Sequence, residues 1–488
     1  MKTIILLAGP LLLSLLPVMG FVPSTLAQEV SIPDSGLNAA IRAALQKPNG
    51  PLTEQDLLSL TNLSAGGRNI SSVEGLAAAR NLKILDLDSN SLTNFTSPSA
   101  LTNLTILDLF NNHLTDFVLS NASPNLTILD LGLNSLVHCS ISGGLSNLDT
   151  LFLEENSLPN FTLPAGLTRL TQLDLSANRL TSLTIPVDMT NLTTALVFAN
   201  QLTNLTLPAT LNHLGSLDLD FNRLRSLNLP AGLTNLASLV ARENQLTNLT
   251  LQADMANLAF FDVGSNQLQN LTLPAGLTRL NFLRLAGNKL TSLILPPGLT
   301  NLTSIFLAGN QLTNLTLAPD LVNLVQIDVL GNQLASLTLP PDVTKLSTLV
   351  LDGNPLTTLV LSEALAATRL AVQVESLPNQ GVSVFTYPLA VDLLKPQQTF
   401  DNTFAFTLVG PPGIYTVFVS TNLTSWSVLG TVVNEIGSLF FTDGDTPLSP
   451  HKFYRVLLQS PPTNTVFIRP NALTLGSPAE DPDHNIKP

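Results

Sequence analysis

Two sets of side chains in this sequence are of kinds that bind other molecules, and both recur on an interval of 22 residues. The first is a series of aspartates, Asp86, Asp108, Asp130, Asp174, Asp218, Asp262 and Asp328, separated by that interval or its multiples. The second is a series of phenylalanines, Phe110, Phe152, Phe198, Phe260, Phe282 and Phe306, with Phe221 at the edge, at a few fixed places of the same interval. If successive intervals stack at the ~4.8 Å spacing of neighbouring strands, Asp86, Asp108 and Asp130 form a like-charge row. Each contact in that row costs roughly 0.8 kcal/mol even in water, so it invites a cation or a basic partner. The plainer reading is that aspartate there belongs to the repeat consensus and is tolerated as a surface charge. Exposed phenylalanines on a polar surface are the usual core of a binding patch, or they stack on one another merely to cover a sheet. As ligand-binding candidates the sequence thus offers the six phenylalanines from Phe110 to Phe306 together with Asp86, Asp108, Asp130 and Asp218.

Catalytic chemistry is not encoded in any comparable pattern. No HExxH, phosphate-binding glycine loop or GxSxG elbow is present, and His113, His138, His213, His451 and His484 lack metal-ligand spacing. The segments Asp86 to Asn90 and Asp218 to Asn222 imitate the start of a calcium loop but lack its glycine and closing glutamate. Asp443 and Asp445 fit a turn better than an ion site. The single cysteine, Cys139, falls in a column otherwise apolar and reads as a buried small apolar group. No catalytic residue, metal or cofactor is expected.

The elements that must position these residues follow from the stretch LKILDLDSNSL, Leu82 to Leu92. Its frame, LxxLxLxxNxL, returns with asparagines at Asn90, Asn112, Asn134, Asn156, Asn178, Asn200, Asn222, Asn244, Asn266, Asn288, Asn310, Asn332 and Asn354, and one unit upstream Arg68 takes the asparagine place. A period of this size and pattern is the signature of a leucine-rich repeat solenoid. With the first leucine as position 1, the leucines at 4 and 6 alternate with outward positions 3, 5 and 7, which is the period of a half-buried strand. Apolar residues at 14, 16 and 20 complete the inside, and threonine-rich segments such as Leu202 to Pro208 suggest a second extended stretch on the convex side, without helix. The expected fold is a mostly β solenoid, a horseshoe or rod, with a parallel sheet on its concave face. The repeat asparagine is expected to satisfy backbone groups where the chain turns inward. Asn-Leu-Thr triplets, among them Asn94, Asn103, Asn125 and Asn204, match the glycosylation acceptor pattern but fall at two fixed places of the repeat.

The ends differ from the middle. Residues 1–27 read as a secretory signal with cleavage after Ala27, because the apolar run Ile4 to Leu16 is too short to span a bilayer. Residues 29–59 carry an amphipathic stripe, Leu37, Ala40, Ile41, Ala44 and Leu45, that suits a helical cap over the open end of residues 60–375. Leu370 to Val374 reads as a last strand. From 380 to 460 the composition shifts, with Trp426 and all three tyrosines, and strands are predicted at Val382 to Phe385, Thr403 to Leu408, Ile414 to Ser420, Ser427 to Val433, Ser438 to Thr442 and Lys452 to Leu458. Those strands predict a small β-sandwich, and proline-rich 461–488 a disordered tail. A formal charge of -13 with no basic run argues against a nucleic-acid partner.

The cap segment PDSGLNAAIRAAL, the unit LTNLSAGGRNISSVEGL and the repeats resemble internalin-like and related bacterial secreted leucine-rich repeat proteins over roughly residues 30–375. The segments GPPGIYTVFVSTNLTSWSVLG, GSLFFTD and KFYRVLL are loosely similar to fibronectin type III modules of exported bacterial proteins. The resemblance implies that a protein or glycan binds through the solenoid. The expectation is a secreted or cell-surface recognition protein, monomeric, with no membrane span once the signal is removed. The alternative is a structural envelope or matrix component acting by self-association.

Overall fold

The computed structural model describes residues 28–119, 123–399, 403–444 and 452–459. The expected signal segment, the expected tail, Asp445 and His451 lie outside the described residues. The chain divides into two compact units, residues 1–158 and 159–488.

The first unit opens with the helix Ser35–Leu45, whose N-cap Asp34 accepts the Leu37 amide at 2.9 Å. The other carboxylate oxygen of Asp34 takes the amides of Ser71 and Ser72, which fastens the cap to the first repeat. A second helix, Glu54–Leu58, starts from the Thr53/Asp56 capping box. Five three-residue strands follow, Asn62–Ser64, Ile84–Asp86, Ile106–Asp108, Ile128–Asp130 and Thr150–Phe152, parallel and in register at 22 residues. Their central leucines, Leu63, Leu85, Leu107, Leu129 and Leu151, are buried. On the opposite side Asp116–Leu119 pairs with His138–Ile141. Cys139, in that strand, is half-buried rather than buried, and the burial it has pushes its thiol up to about 12. His138 turns outward and meets Asp116 at 3.0 Å.

The second unit carries nine strands of the same kind, Gln172–Asp174, Thr194–Leu196, Ser216–Asp218, Ser238–Val240, Phe260–Asp262, Phe282–Arg284, Ser304–Phe306, Gln326–Asp328 and Thr348–Val350, again parallel. We call each such row of strands a wall. The back side has short paired segments, for example Ser182–Thr184 with Asn204–Thr206 and Ser292–Ile294 with Asn314–Thr316.

Two ladders of asparagine hold the turns. At position 9 the side-chain amide donates to carbonyls of its own and the preceding repeat, while its oxygen accepts the position-11 amide of the preceding repeat; Asn244, for instance, serves Leu219, Ala241 and Arg242 and receives Leu224. The second ladder escapes the sequence reading: asparagines at position 22, including Asn103, Asn125, Asn191, Asn235 and Asn257, each donate to a carbonyl 23 residues earlier. The triplets that contain Asn103 and Asn125 therefore have a structural reason to exist.

Position 8, just before the position-9 asparagine, is left-handed in every unit from Ser89 to Gly353. Nine units place non-glycine residues there at φ 51 to 54°, among them Leu133 and Phe221, and the last four place Gly287, Gly309, Gly331 and Gly353. At Gly331 an added Cβ would have room, its nearest neighbour being the Gly309 nitrogen at 3.9 Å. The cost of a side chain there is therefore in the backbone. Gly331→Val is expected to destabilise by about 1 kcal/mol or more, since β-branched residues avoid this region, and Gly331→Asn by only a few tenths. Urea unfolding of the two variants checks the ordering.

The wall of the second unit does not end on a strand at Leu370 to Val374. That segment is the helix Ala371–Ser376, and its Gln373 donates to the Leu349 carbonyl at 2.6 Å. An open strand edge is thereby covered. The strand Ser383–Tyr387 adds in parallel to Thr358–Ser362 on the back side, and buried Tyr387 donates to the Leu339 carbonyl at 2.7 Å.

Two antiparallel three-stranded sheets follow. One is Asp392–Gln398, Phe404–Val409 and Ser438–Asp443, the other Ser427–Asn434, Gly413–Ser420 and Phe453–Leu458. They close on Phe406, Leu408, Tyr415 and Val417. Asp443 is not a turn residue but the buried end of a strand, where it takes Lys452 at 2.8 Å and the Tyr454 hydroxyl at 2.6 Å. Among the described residues no helix is long and apolar enough to cross a membrane.

Candidate ligand-binding wall

Strand alternation buries positions 4 and 6 and leaves 3, 5 and 7 facing out, so the wall's outer side chains are repeated on a backbone fixed by hydrogen bonds on both sides. The position-5 aspartates have a local task there. In each of the seven, Oδ1 accepts the amide two residues on, at 2.8 to 3.2 Å, from Asp88, Phe110, Gly132, Ser176, Asp220, Gly264 and Leu330. The carboxylate satisfies a strand-end donor just before the left-handed residue, which is the physical content of the consensus.

Asp86, Asp108 and Asp130 do stand side by side in the first unit. Burial, followed by the charges of Asp86 and Asp88, raises the Asp108 carboxyl above its ordinary range. Asp218 is raised too, by burial first and then by Asp220. Neither calcium-loop imitation is open to an ion through its asparagine, because the side chains of Asn90 and Asn222 are engaged with backbone groups on both their oxygen and nitrogen.

The phenylalanines separate into two groups. Phe110 and Phe152 lie half-buried on the first unit's wall, with Phe152 registered against Asp130. Phe198 is half-buried on the second unit's wall, and Phe221 is 54% exposed at its left-handed rim. Phe260, Phe282 and Phe306 are brought together. Their rings form a ladder on three successive strands, with centroids 4.4 Å apart and nearly parallel for Phe260 and Phe282, and 5.2 Å apart and tilted 40° for Phe282 and Phe306. The first two share position 3, whereas Phe306 reaches the ladder from position 5.

Beside the ladder runs a charged network that no sequence motif marks. Arg242 Nε donates to Asp220 Oδ2 at 2.7 Å and the Arg242 amide to Asp220 Oδ1 at 2.6 Å. On its other side Arg242 approaches Asp262 at 3.8 Å. Both carboxylates are buried, each 3% exposed. Burial raises the Asp262 carboxyl, while its bond from the Gly264 amide and the nearby Arg284 and Arg242 oppose that rise. Arg284 follows Asp262 in the strand register and precedes Phe306. Only their places at positions 7 and 5 of the frame identify the two arginines as wall residues.

A family model described as a BspA type leucine rich repeat region matches residues 147–262 and 254–368, and a leucine rich repeat model matches residues 81–104. No curated protein matches the chain. Among solved structures it is similar to an internalin of Listeria monocytogenes, at 26% identity over 72% of this chain and 95% of that one, with a TM-score of 0.51. It is also similar to the functional domain of InlJ from the same organism, at 18% identity over 78% and 94% with a TM-score of 0.49. A third is YopM, a leucine-rich effector protein of Yersinia pestis, at 24% identity over 67% and 91% with a TM-score of 0.48.

Proposed function

We propose that this leucine-rich repeat solenoid, similar to an internalin in its repeats and fold, is a recognition protein that works outside the cell or at its surface. It binds a macromolecular ligand through the outward face of its strand wall and is not an enzyme. Solenoids of this class offer extended surfaces for binding. The observation that carries the reading is the Phe260, Phe282 and Phe306 ladder, three aromatic rings held on a rigid, hydrogen-bonded sheet and set beside a buried ionic network. Aromatic anchors on preorganised backbone are where binding energy concentrates.

The test is capture of partners from the protein's native surroundings by the full chain, alongside the full chain carrying Phe198→Ala and Phe282→Ala. A partner held by the unaltered chain is expected to be lost or weakened about 100-fold, with the circular dichroism spectrum unchanged. Equal capture by both chains contradicts the reading. A second reading, a structural component that assembles with itself, draws on exposed apolar side chains in the two terminal sheets, Val428, Phe440 and Leu457. Mass that rises with concentration in light scattering supports it, and a monomer at high concentration removes it.

A further inference from the structure

The stacked rings and the arginine beside them define a narrower subsite than the wall as a whole. Phe260 and Phe282 lie face to face, and Phe306 leans on the second of them. Phe282, the middle ring, has a ring on either side of it, so its edge rather than its face is left for a ligand. A sugar ring binds best on an open aromatic face, so the middle of the ladder is a poor glycan platform. Ring edges carry the positive rim of the aromatic quadrupole, which suits the face of another aromatic ring or a carbonyl oxygen.

The neighbouring columns keep this surface open. Next to the ladder at position 7 come Gly264, Ala286 and Ala308, and at position 8 Ser265, Gly287 and Gly309. A ligand backbone can approach closely over such small residues. The Arg284 side chain lies over Gly264, its Nε 3.5 Å from where a Cβ on that glycine would stand. Arg242 is bound by Asp220, whereas the Arg284 guanidinium donates no hydrogen bond among the described residues. Asp262, the carboxylate nearest to it, already accepts the Gly264 amide and is shared with Arg242. A half-buried guanidinium with its fork of donors unused is a ready partner for a carboxylate.

We infer that this subsite takes an extended segment of a partner protein, which sets an aromatic or branched apolar side chain on the ring edges and a neighbouring carboxylate on Arg284. The inference rests on the wall being the binding face, as proposed above. Three strands at ~4.8 Å give a footprint of roughly 10 Å, the length of about three extended residues at ~3.3 Å each. Apolar anchor and acid thus lie within two residues of each other in the ligand.

Selection of a random peptide display library on the immobilised full chain tests this. The expected peptides pair an aromatic or branched apolar residue with Asp or Glu no more than two positions away. Their binding should weaken about 10- to 100-fold on Arg284→Glu and on Phe282→Ala. Exchanging the peptide's acid for lysine should restore binding to the Arg284→Glu chain, a rescue that a misfolded variant cannot give. Peptides that are basic, or indifferent to both substitutions, overturn the inference, as does a selection that yields no peptide while an oligosaccharide array yields a ligand. Peptides that depend instead on Phe110 or Phe198 leave the wall reading standing and overturn only this subsite. Peptides lost on Phe440→Ser alone overturn both.

Discussion

Asn266→Ala is expected to remove about 2 to 3 kcal/mol of stability, a large share of the 5 to 15 kcal/mol that a typical domain has. The side-chain amide of Asn266 donates to the carbonyls of Ala241 at 2.8 Å and of Val263 and Gly264 at 3.1 Å, and its oxygen accepts the Leu246 amide at 2.9 Å. Ala241, Val263 and Leu246 are fully buried. Alanine leaves the Leu246 amide without a partner and without access to water, at a cost of about 1 to 3 kcal/mol, while the Ala241 and Val263 carbonyls lose one donor each and keep Asn244 at 3.4 Å and Asn288 at 3.0 Å. Because each repeat is stabilised mainly by its neighbours, the defect should also split the unfolding transition. Asn266→Asp separates the donor from the acceptor role. An ionised aspartate accepts the Leu246 amide but faces the carbonyls with no donor, so the variant should be weakest at neutral pH and recover as acid protonates it. Thermal melts from pH 4 to 7 measure both effects, and equal melting of all three chains would remove the asparagine ladder from the account.

The second large effect belongs to Arg242→Ala. It strips the ion pair from Asp220 and leaves Asp262 with one of its two nearby guanidinium groups, Arg284; both carboxylates are 3% exposed. Breaking a buried pair costs about 3 to 5 kcal/mol because a charge is left uncompensated. The Arg242 side chain is itself 39% exposed, so solvent screening brings the expected loss to about 2 kcal/mol. The sign with pH follows from Asp262, whose folded carboxyl is already raised above its ordinary 3.8 by burial. A raised acid favours the folded state below its unfolded pKa and loses that contribution as pH rises through the folded value. Without Arg242 the carboxyl rises further, so the variant should approach the parent's stability near pH 4 and fall behind it toward pH 7. Arg242→Ala combined with Asp220→Asn and Asp262→Asn should recover much of the loss at neutral pH.

The solenoid was legible because burial and spacing are the same fact here: a leucine at position 4 or 6 has no place to go but inside. Five of the terminal strands sit within a residue or two of where alternation puts them. Asp392–Gln398 was not legible, for it is an exposed edge strand containing Pro396, with a register shift between Leu394 and Gln397. Leu370 to Val374 alternates like a strand yet coils, because there it must cover an edge rather than extend it.

The candidate face was legible as a set of outward positions, but its pairings only in part. Phe260 and Phe282 share a frame position, and their stacking follows from the period. Phe306 joins from another column, and Arg242 reaches one carboxylate 22 residues back and another 20 ahead. Such diagonal contacts depend on side-chain length and direction, which a backbone period does not record. The position-5 aspartates show the opposite case, where the residues chosen for their charge proved to be bonded to the turn beside them.

Hydroxyl-radical footprinting of the full chain, alone and with a captured partner, tests the central claim most directly. Oxidation of Phe260, which is 38% exposed, and of Phe282 and Phe306 should fall when the partner is bound, while that of Phe440, 57% exposed in the terminal sheets, should stay the same. Protection of Phe440 with the ladder oxidised as before would contradict the claim that the wall is where this protein meets its ligand.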